Sequence, residues 1–483
     1  MTTIRRKRRQ GNDAKWKPIA LAISTAGFLS ILLYIVRLIP WRSSGGVGVG
    51  VGVGSRSVSN SGSGRLGQYQ QVATTKIRQQ QHPRKNTKYA VDNLLPMRRA
   101  LEDDLFDPLA TELARNILGA SLNLVDIHII SHSFSITEDS YSGIVAEFCP
   151  LNFTAQKENP PSLPMFKDVV GVSPQCNKHN NVRVDLKEAV DLVREFDADN
   201  TDVLPTILDL KGVVFHESRC GSTLAANSMM ALHPEKNRVY SESSPPPYAF
   251  KICGEDYSDC SPQASANLLK DIIYLMGRSN DPKEQNLFFK FQSVTTRNLE
   301  SFRLAFPTTP WVFMYRNPIE VMMSQLDVPH TSKANCVRSK HSSPLIKKAI
   351  AGTQYKFDDL SDEEFCAVHL ATICESALRN LEDADGVGMA IKYTDDLEYA
   401  FIDTVFPKHF HALVDEDGRQ RVEKIAGTYS KGRGMHEGEF HSDSEEKIRN
   451  APKSMKDAAD EFLGPVNKLL DKSSYNFRPE EEE

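Results

Sequence analysis

Two segments of this chain place small and basic residues where a strand is followed by a helix. The first, an apolar strand that runs into a small-residue turn, is Gly212-Val-Val-Phe-His-Glu-Ser-Arg-Cys-Gly-Ser-Thr-Leu224. The second, a strand that ends at an arginine, is Trp311-Val-Phe-Met-Tyr-Arg-Asn-Pro-Ile-Glu-Val-Met-Met-Ser324. Backbone N–H groups at a helix N-terminus attract anions. The two segments together predict a ligand with two separated phosphate-like groups.

The first segment is not a Walker P-loop, because Ser222 follows Gly221 where that motif requires a lysine. Its residues are nevertheless suited to an anion. Gly221 allows a close backbone approach, and the amides of Ser222, Thr223 and Leu224 are expected to point at the anion. Arg219 adds a permanently charged, forked donor. The alternative interpretation is a helix capped by serine or threonine after a strand, which is a common structure.

The second segment strengthens this prediction. Arg316 lies where the strand meets the helix, and Ser324 follows eight positions later, about two helical turns, on nearly the same face. Arg316 and Ser324 are therefore predicted to hold one phosphate together. A third basic loop, Tyr429-Ser-Lys-Gly-Arg-Gly434, occurs near the end of the chain. Taken alone, such a loop is usually a solvated turn.

These motifs resemble those of the sulfotransferases that use 3′-phosphoadenosine 5′-phosphosulfate (PAPS). Arg219-Cys-Gly-Ser-Thr223 is similar to the loop that binds the 5′-phosphosulfate in that family, with Cys220 where serine or threonine is commoner. Arg316-Asn-Pro-Ile-Glu-Val-Met-Met-Ser324 resembles its 3′-phosphate segment, and Lys431-Gly432 resembles a late loop over the same phosphate. The resemblance covers residues 205–435 and implies PAPS as co-substrate without a metal.

The resemblance also implies in-line transfer of a sulfuryl group to an acceptor hydroxyl or amine, which requires a positioned base. His233-Pro234 followed by Tyr240-Ser-Glu-Ser-Ser-Pro245 is similar to a segment of tyrosylprotein sulfotransferases in which a strand ends in the catalytic glutamate. Glu242 is therefore the candidate base. The alternative is a surface glutamate before a proline-rich turn.

Lys290 lies inside the apolar strand Phe288-Phe-Lys-Phe-Gln-Ser293, an unusual place for a lysine. We expect it to act in catalysis, with Arg219, by stabilising charge on the departing oxygen. The alternative is a lysine at a strand end that extends to solvent. His216 and Ser293 are weaker candidates for the site.

After Pro205 short apolar strands alternate with helical segments, which predicts an α/β fold of three layers, a parallel sheet covered by helices. Ligands then bind at the carboxyl ends of the strands. We assign residues 205–475 to the sulfotransferase domain. Residues 101–204 form an N-terminal extension without an assigned chemistry, either a cap on the acceptor side or a decorating subdomain. Strands are predicted at 213–215, 238–241, 287–291, 311–315 and 388–392. Two of the predicted helices are 223–232 and 295–306.

The first 100 residues predict a membrane tether. Residues 1–17 carry a net charge of +6, and residues 19–36 contain no charge, which is long enough to span a bilayer. The positive-inside rule gives a cytosolic tail (1–17), a transmembrane signal anchor (18–39) and a disordered stem (40–100) before a domain on the luminal side. The resemblance to sulfotransferases implies that the membrane is that of the Golgi. A cleaved signal peptide is the competing interpretation, and an organellar transit peptide fits less well.

The predicted tether and the folded part differ in the sign of their net charge. The first 100 residues hold 18 Lys/Arg and two Asp, whereas the whole chain has a net charge of −5, so residues 101–483 carry −21. So acidic a domain argues against nucleic acid as a partner and mildly against polyanionic polymers. The basic stem is interpreted as solvated, although a position near anionic headgroups is the alternative.

Eight cysteines in 483 residues do not make a disulfide-rich scaffold. In an oxidising lumen some of them can pair, and Cys253 with Cys260 is the closest candidate. Cys366, His369 and Cys374 lie on one amphipathic helical segment, and we interpret them as core residues rather than metal ligands. Asn152-Phe-Thr is a glycosylation sequon that matters only in a luminal domain.

The sequence thus predicts a single-pass type II membrane protein with a luminal PAPS-dependent sulfotransferase domain. Two other functions stay open at this level. One is a P-loop kinase or another nucleotide-dependent transferase, and the other is an inactive nucleotide-binding scaffold. The acceptor can be a protein tyrosine, a glycan hydroxyl or a small molecule, and the oligomeric state is not predicted.

Overall fold

The computed structural model describes residues 94–103, 105–200, 204–327, 334–338, 340, 343–383, 386–394, 397–431 and 442–477. The predicted tail, signal anchor and most of the stem lie outside the described residues. Within these ranges, no helix has both the length and the apolar character needed to cross a bilayer.

The N-terminal part is built on a three-stranded antiparallel sheet in the order β1–β4–β5. The strands of this part are β1 (Asn123–Ile129), β2 (Ser135–Ile136), β3 (Tyr141–Ser142), β4 (Ile144–Cys149) and β5 (Val182–Asp185). Its helices are α1 (Met97–Glu102), α2 (Pro108–Leu118), α3 (Phe153–Glu158), α4 (Phe166–Gly171) and α5 (Leu186–Asp199), with a 3₁₀ turn at Pro160–Ser162. Helix α1 begins inside the segment predicted as stem.

Buried polar contacts attach this N-terminal part to the rest of the protein. The Arg278 guanidinium bonds the carbonyl of Ile117 (3.0 Å) and the carboxylate of Asp197 (2.7 Å). Tyr141 donates to Asp271 at 2.9 Å. The apolar side chains of both parts also belong to one continuous core. The extension is therefore packed into the same structure as the domain that follows it.

The remaining described residues alternate strands with helices. The strands are β6 (Thr206–Ile207), β7 (Asp209–His216), β8 (Asn237–Ser241), β9 (Arg278–Ser279), β10 (Asn286–Lys290), β11 (Trp311–Tyr315) and β12 (Gly388–Lys392). The helices are α6 (Ser222–Leu232), α7 (Pro246–Lys251), α8 (Pro262–Met276), α9 (Leu299–Ala305), α10 (Pro318–Leu326), α11 (Pro344–Ala349), α12 (Asp362–Glu382), α13 (Leu397–Ala400), α14 (Glu416–Ala426), α15 (Ser444–Asn450), α16 (Lys453–Ala458) and α17 (Gly464–Lys472). The 3₁₀ segments are Ser293–Asn298, Asn335–Val337 and Phe357–Asp359, and the π-helical segments are Phe401–His409 and Ala459–Leu463.

Five strands pair in parallel in the order β12–β11–β7–β10–β8. Successive residues of β7 contribute to different cores: Phe215 lies in the core that contains Leu269 of α8, and Val214 lies in the core that contains Met229 of α6. Such alternation requires a sheet covered on both faces, since neighbouring side chains point to opposite sides. The predicted α/β class with a helix-flanked parallel sheet is confirmed.

Most predicted boundaries agree with the structure to within a few residues, and β11 and β12 have the predicted bounds. The helix expected from Thr295 to Phe306 differs, because its first part is the 3₁₀ segment Ser293–Asn298 and α9 starts only at Leu299. The β-branched and hydroxyl residues in this segment disfavour a regular α-helix.

The carboxyl ends of the five parallel strands meet at one edge of the sheet. The last residues of β7, β8, β10, β11 and β12 are His216, Ser241, Lys290, Tyr315 and Lys392. The loops that follow them surround a cavity of about 850 Å³. Both predicted anion loops and the three predicted catalytic residues, Glu242, Lys290 and Arg219, line this cavity.

Six of the eight cysteines form disulfides: Cys149–Cys176, Cys253–Cys260 and Cys336–Cys366. The predicted Cys253–Cys260 pair is confirmed. Cys366 lies in the core, as predicted, and its pairing with Cys336, 30 residues away, was not predicted. Cys220 and Cys374 are free and buried.

Candidate active site

The loop after β7 has an unusual backbone. Ser218, Arg219 and Gly221 have φ values of +97°, +54° and +77°, a region that L-residues rarely adopt. Glycine is required at position 221 for a second reason, since a Cβ there would lie 2.5 Å from the ring of Tyr393. The loop can therefore approach a ligand with its backbone.

Helix α6 starts directly after this loop. No side chain caps its N-terminus, and the first amides of a helix have no partner within the helix. The Leu224 N–H donates to the Gly221 carbonyl at 2.9 Å, so the Ser222 and Thr223 amides are better placed than that of Leu224 to meet an anion. The hydroxyls of Ser222 and Thr223 add donors at the cavity wall.

The second loop places Arg316 and Ser324 in the same cavity. Arg316 forms an ion pair with Glu320 and donates to the Ser444 hydroxyl at 2.8 Å. Its guanidinium lies 4.4 Å from the centre of the Tyr393 ring. The hydroxyl of Ser324 is buried and has no hydrogen-bond partner among the described residues. A buried unpaired hydroxyl is uncommon and indicates a position that an external acceptor can complete.

Hydrogen bonds join the two loops. Arg219 donates through Nε to the Ser324 carbonyl (3.2 Å), and Arg316 donates through Nη1 to the Arg219 carbonyl (3.5 Å). Gln325 donates to the Ser218 hydroxyl at 2.7 Å. The two predicted anion sites are thus held in one frame.

Glu217 completes this frame from a fully buried position. Its Oε1 accepts a hydrogen bond from the Arg316 backbone N–H at 2.9 Å, and its Oε2 lies 3.0 Å from the Cys374 sulfur. Burial raises the pKa of Glu217 to about 8. A carboxyl group that is largely protonated at neutral pH therefore links the two loops.

Glu242 and Lys290 meet at the ends of neighbouring strands β8 and β10. The Glu242 N–H donates to the Lys290 carbonyl at 2.7 Å, and the two side chains form an ion pair. Lys290 is almost fully buried, whereas Glu242 is 28 % exposed toward the cavity. Burial by itself would raise the pKa of Glu242, but the Lys290 ammonium, with a smaller contribution from Lys431, lowers it to about 2. Glu242 is therefore an ionised carboxylate at neutral pH.

His216 is a structural residue rather than a second base. Its Nδ1 accepts from the Ser218 N–H (3.1 Å), and its Nε2 donates to the Phe291 carbonyl (3.0 Å). Burial, together with the Lys290 charge, lowers its pKa to about 3. A neutral imidazole with both nitrogens bonded is not available to accept a proton.

The late basic loop is attached to helix α6, because Asn227 donates to the Ser430 carbonyl at 2.9 Å. Lys431 lines the cavity, and its charge acts on Glu242. Gly432 lies outside the described residues.

The cavity has a further group of lining residues outside the two anion loops and the Glu242–Lys290 pair, and we call the part that they line the acceptor half. It is lined by residues that the sequence prediction did not include, with the exception of Ser293: Lys167, Lys251, Glu255, Gln292, Ser293, Val294, Arg297, Asn335, Arg338 and His369. These residues come from separate elements of the chain, so no local motif identifies them.

Comparison with known proteins adds no assignment, since no protein-family model and no curated protein sequence matches the chain.

Proposed function

We propose that this chain is a PAPS-dependent sulfotransferase. The observation that carries the proposal is a single cavity in which two joined anion loops lie beside a buried lysine–carboxylate pair. One loop carries Arg219 and the start of α6, and the other carries Arg316 and Ser324. A nucleotide with phosphate groups at both ends of its ribose fits two such loops.

The residues present suit this nucleotide. The unpaired Ser324 hydroxyl and the Arg316 guanidinium would hold the 3′-phosphate. The Ser222 and Thr223 groups, with Arg219, would hold the 5′-phosphosulfate. Tyr393 packs against both loops, since it contacts Gly221 and the Arg316 guanidinium, and is a residue that the motif comparison did not assign to the site.

The bound co-substrate supplies an activated sulfuryl group. In the transfer, a bond forms between the acceptor oxygen and sulfur, and the bond between sulfur and the phosphate oxygen breaks. Glu242 takes the acceptor proton, and Lys290 and Arg219 stabilise the charge on the departing phosphate. Because Lys290 also pairs with Glu242, any shift of the ammonium toward the departing oxygen makes Glu242 a stronger base.

The compartment is part of the proposal. The three disulfides suit an oxidising lumen, as does a signal anchor at residues 18–39 that orients the domain away from the cytosol. We therefore place the protein in the Golgi membrane as a single-pass type II protein.

The test is selective binding by the purified full-length chain. We expect 3′-phosphoadenosine 5′-phosphate (PAP), the product nucleotide, to raise the unfolding temperature, because a ligand that binds only the folded state stabilises it. ATP with magnesium should give little shift. Stabilisation by ATP–magnesium without any effect of the bisphosphate would favour the kinase alternative and overturn the proposal. Binding of the bisphosphate without sulfate transfer to any acceptor tested would favour the inactive scaffold.

A further inference from the structure

The acceptor half of the cavity is basic in a domain that is acidic. It contains the cations Lys167, Lys251, Arg297 and Arg338 and the carboxylate Glu255, whereas residues 101–483 carry a net charge of −21. A concentration of positive charge in one cavity of an otherwise acidic domain indicates an anionic partner.

One of these cations is neutralised by protein. Arg297 pairs with Glu255 at 2.9 Å and also bonds the hydroxyl of Thr372 and Nδ1 of His369. The second oxygen of Glu255 accepts from the Ser343 hydroxyl at 2.8 Å. This cluster holds Arg297 in place and gives each oxygen of Glu255 a hydrogen-bond partner.

The side chains of the other three cations, Lys167, Lys251 and Arg338, have no hydrogen bond or ion pair among the described residues. All three side chains are exposed to the cavity or its rim. Desolvation lowers the pKa of the Lys251 ammonium, and the nearby charge of Glu255 opposes this shift.

Three separate elements bring these cations to the reacting end. Lys167 lies on α4. Met165, the residue before this helix, has its sulfur 3.7 Å from the Ser241 hydroxyl, and Ser241 is the neighbour of Glu242 in the chain. Lys251 ends α7, the helix that follows β8. Arg338 follows a 3₁₀ turn that the Cys336–Cys366 disulfide attaches to α12. All three line the cavity that contains Glu242, so an acceptor whose hydroxyl reaches Glu242 can contact them.

The other lining residues discriminate between kinds of acceptor. Gln292, Ser293 and Asn335 offer amide and hydroxyl groups, and Val294 is the one aliphatic side chain among the described residues of the acceptor half. Among the described residues, the Phe, Tyr or Trp side chains that line the cavity are Tyr393, which contacts both anion loops, and Tyr429 of the late basic loop, and neither belongs to the acceptor half. A phenol ring requires apolar walls, whereas a sugar presents several hydroxyls to such polar groups.

We propose, on the basis of the function proposed above, that the acceptor is a carbohydrate that carries carboxylate or sulfate groups beside the reacting hydroxyl. Lys167, Lys251 and Arg338 bind its anionic groups, and Gln292, Ser293 and Asn335 bind its neutral hydroxyls.

The experiment measures binding to the full-length chain in the presence of saturating PAP. The probes are tetragalacturonic acid, its uncharged methyl ester, and a tyrosine peptide flanked by glutamates. The variants are Lys251→Gln combined with Arg338→Gln and, as a matched control, Lys348→Gln, an exposed lysine on α11 outside the cavity. Each lost charged hydrogen bond should weaken affinity about tenfold.

The expected result is binding of the acid, little binding of the ester, and a loss of affinity for the acid in the double variant but not in the control. Equal binding of acid and ester, an unaffected double variant, or binding of the peptide in place of the sugar would overturn the proposal. Each of these results is compatible with normal PAP binding and so leaves the proposed function standing. Failure of PAP to bind the unmodified chain would instead refute the proposed function itself.

Discussion

The carboxyl group of Glu217 accepts a hydrogen bond from the backbone N–H of Arg316 at 2.9 Å, across 99 residues of sequence. This bond joins the ends of the neighbouring strands β7 and β11 and sets the separation of the two anion loops. Because burial raises the pKa of Glu217 to about 8, the link is made by a group that is mostly neutral at physiological pH.

We first predict a pH-dependent effect of Glu217→Gln. A carboxyl group whose pKa is raised on folding contributes stability below its unfolded value of 4.5, and this contribution is lost as the pH rises toward 8. Glutamine is neutral throughout, so the variant should gain in unfolding temperature relative to the wild type between pH 5 and pH 8.

Glu382→Gln, at an exposed position at the end of α12, is the control and should show no such gain. A Glu217→Gln variant whose stability relative to the wild type is the same at both pH values would contradict a neutral Glu217.

The second prediction concerns Ser324→Ala. Removal of a buried hydroxyl that has no partner should leave the stability of the protein unchanged or slightly higher. The same substitution should weaken PAP binding about tenfold, because a hydrogen bond to a charged phosphate is lost. Thermal unfolding and calorimetric titration measure the two effects.

Ser376→Ala is its matched control. The Ser376 hydroxyl is also buried, but it donates to the Thr296 carbonyl at 2.8 Å. This variant should lose about 1–3 kcal/mol of stability and keep its PAP affinity. Unchanged PAP binding by Ser324→Ala would remove that hydroxyl from the phosphate site.

The third prediction is that Glu242→Gln keeps PAP affinity and loses sulfate transfer by about 10²–10⁴-fold, as expected for a general base. Transfer is measured with labelled PAPS on whichever acceptor the wild type sulfates in a screen of carbohydrates and tyrosine peptides. Glu235→Gln, an exposed glutamate before β8, serves as the control. Unchanged turnover in Glu242→Gln would exclude it as the base.

Glu242→Gln should also change how the stability of the protein depends on pH, an effect that can be measured without a sulfate acceptor. The pKa of Glu242 is lowered to about 2 from an ordinary value of 4.5. Its ion pair with Lys290 therefore stabilises the protein above pH 4.5, and this contribution is lost as the pH falls toward 2. The deficit of Glu242→Gln should be constant near neutral pH and shrink in acid, the reverse of the trend for Glu217.

The fourth prediction compares two glycines with similar backbone angles. Gly221 (φ +77°) faces the Tyr393 ring, whereas nothing lies within 4 Å of the Cβ position at Gly352 (φ +82°). Alanine at either site costs about 1–2 kcal/mol for the left-handed conformation. Gly221→Ala should lose a further 1–3 kcal/mol, roughly the cost of overpacking, and should bind PAP weakly. Equal losses in denaturant unfolding, with PAP binding retained, would contradict the contact with Tyr393.

Local pattern was sufficient for much of the sheet. Trp311–Tyr315 is an uninterrupted apolar run between Pro310 and Arg316, and Gly388–Lys392 is apolar up to its last residue. The structure has strands with those bounds. The start of α6 was predicted within one residue because the small-residue loop ends at Gly221. Strand order was not predicted, since pairing of β7 with both β10 and β11 depends on contacts between residues far apart in the chain.

The site residues show the same division between features set by local sequence and features set by distant contacts. Arg219, Glu242, Lys290 and Arg316 stand at strand ends, and a strand end can be recognised from the sequence around it, so the sequence by itself determined these candidates. The partners that set their chemistry were decided only by the tertiary structure. The ion pair of Lys290 with Glu242, the bond of Glu217 to Arg316 and the basic acceptor half all join separate elements. Burial and charge pairing arise when distant segments meet, and no spacing along the chain encodes those distances.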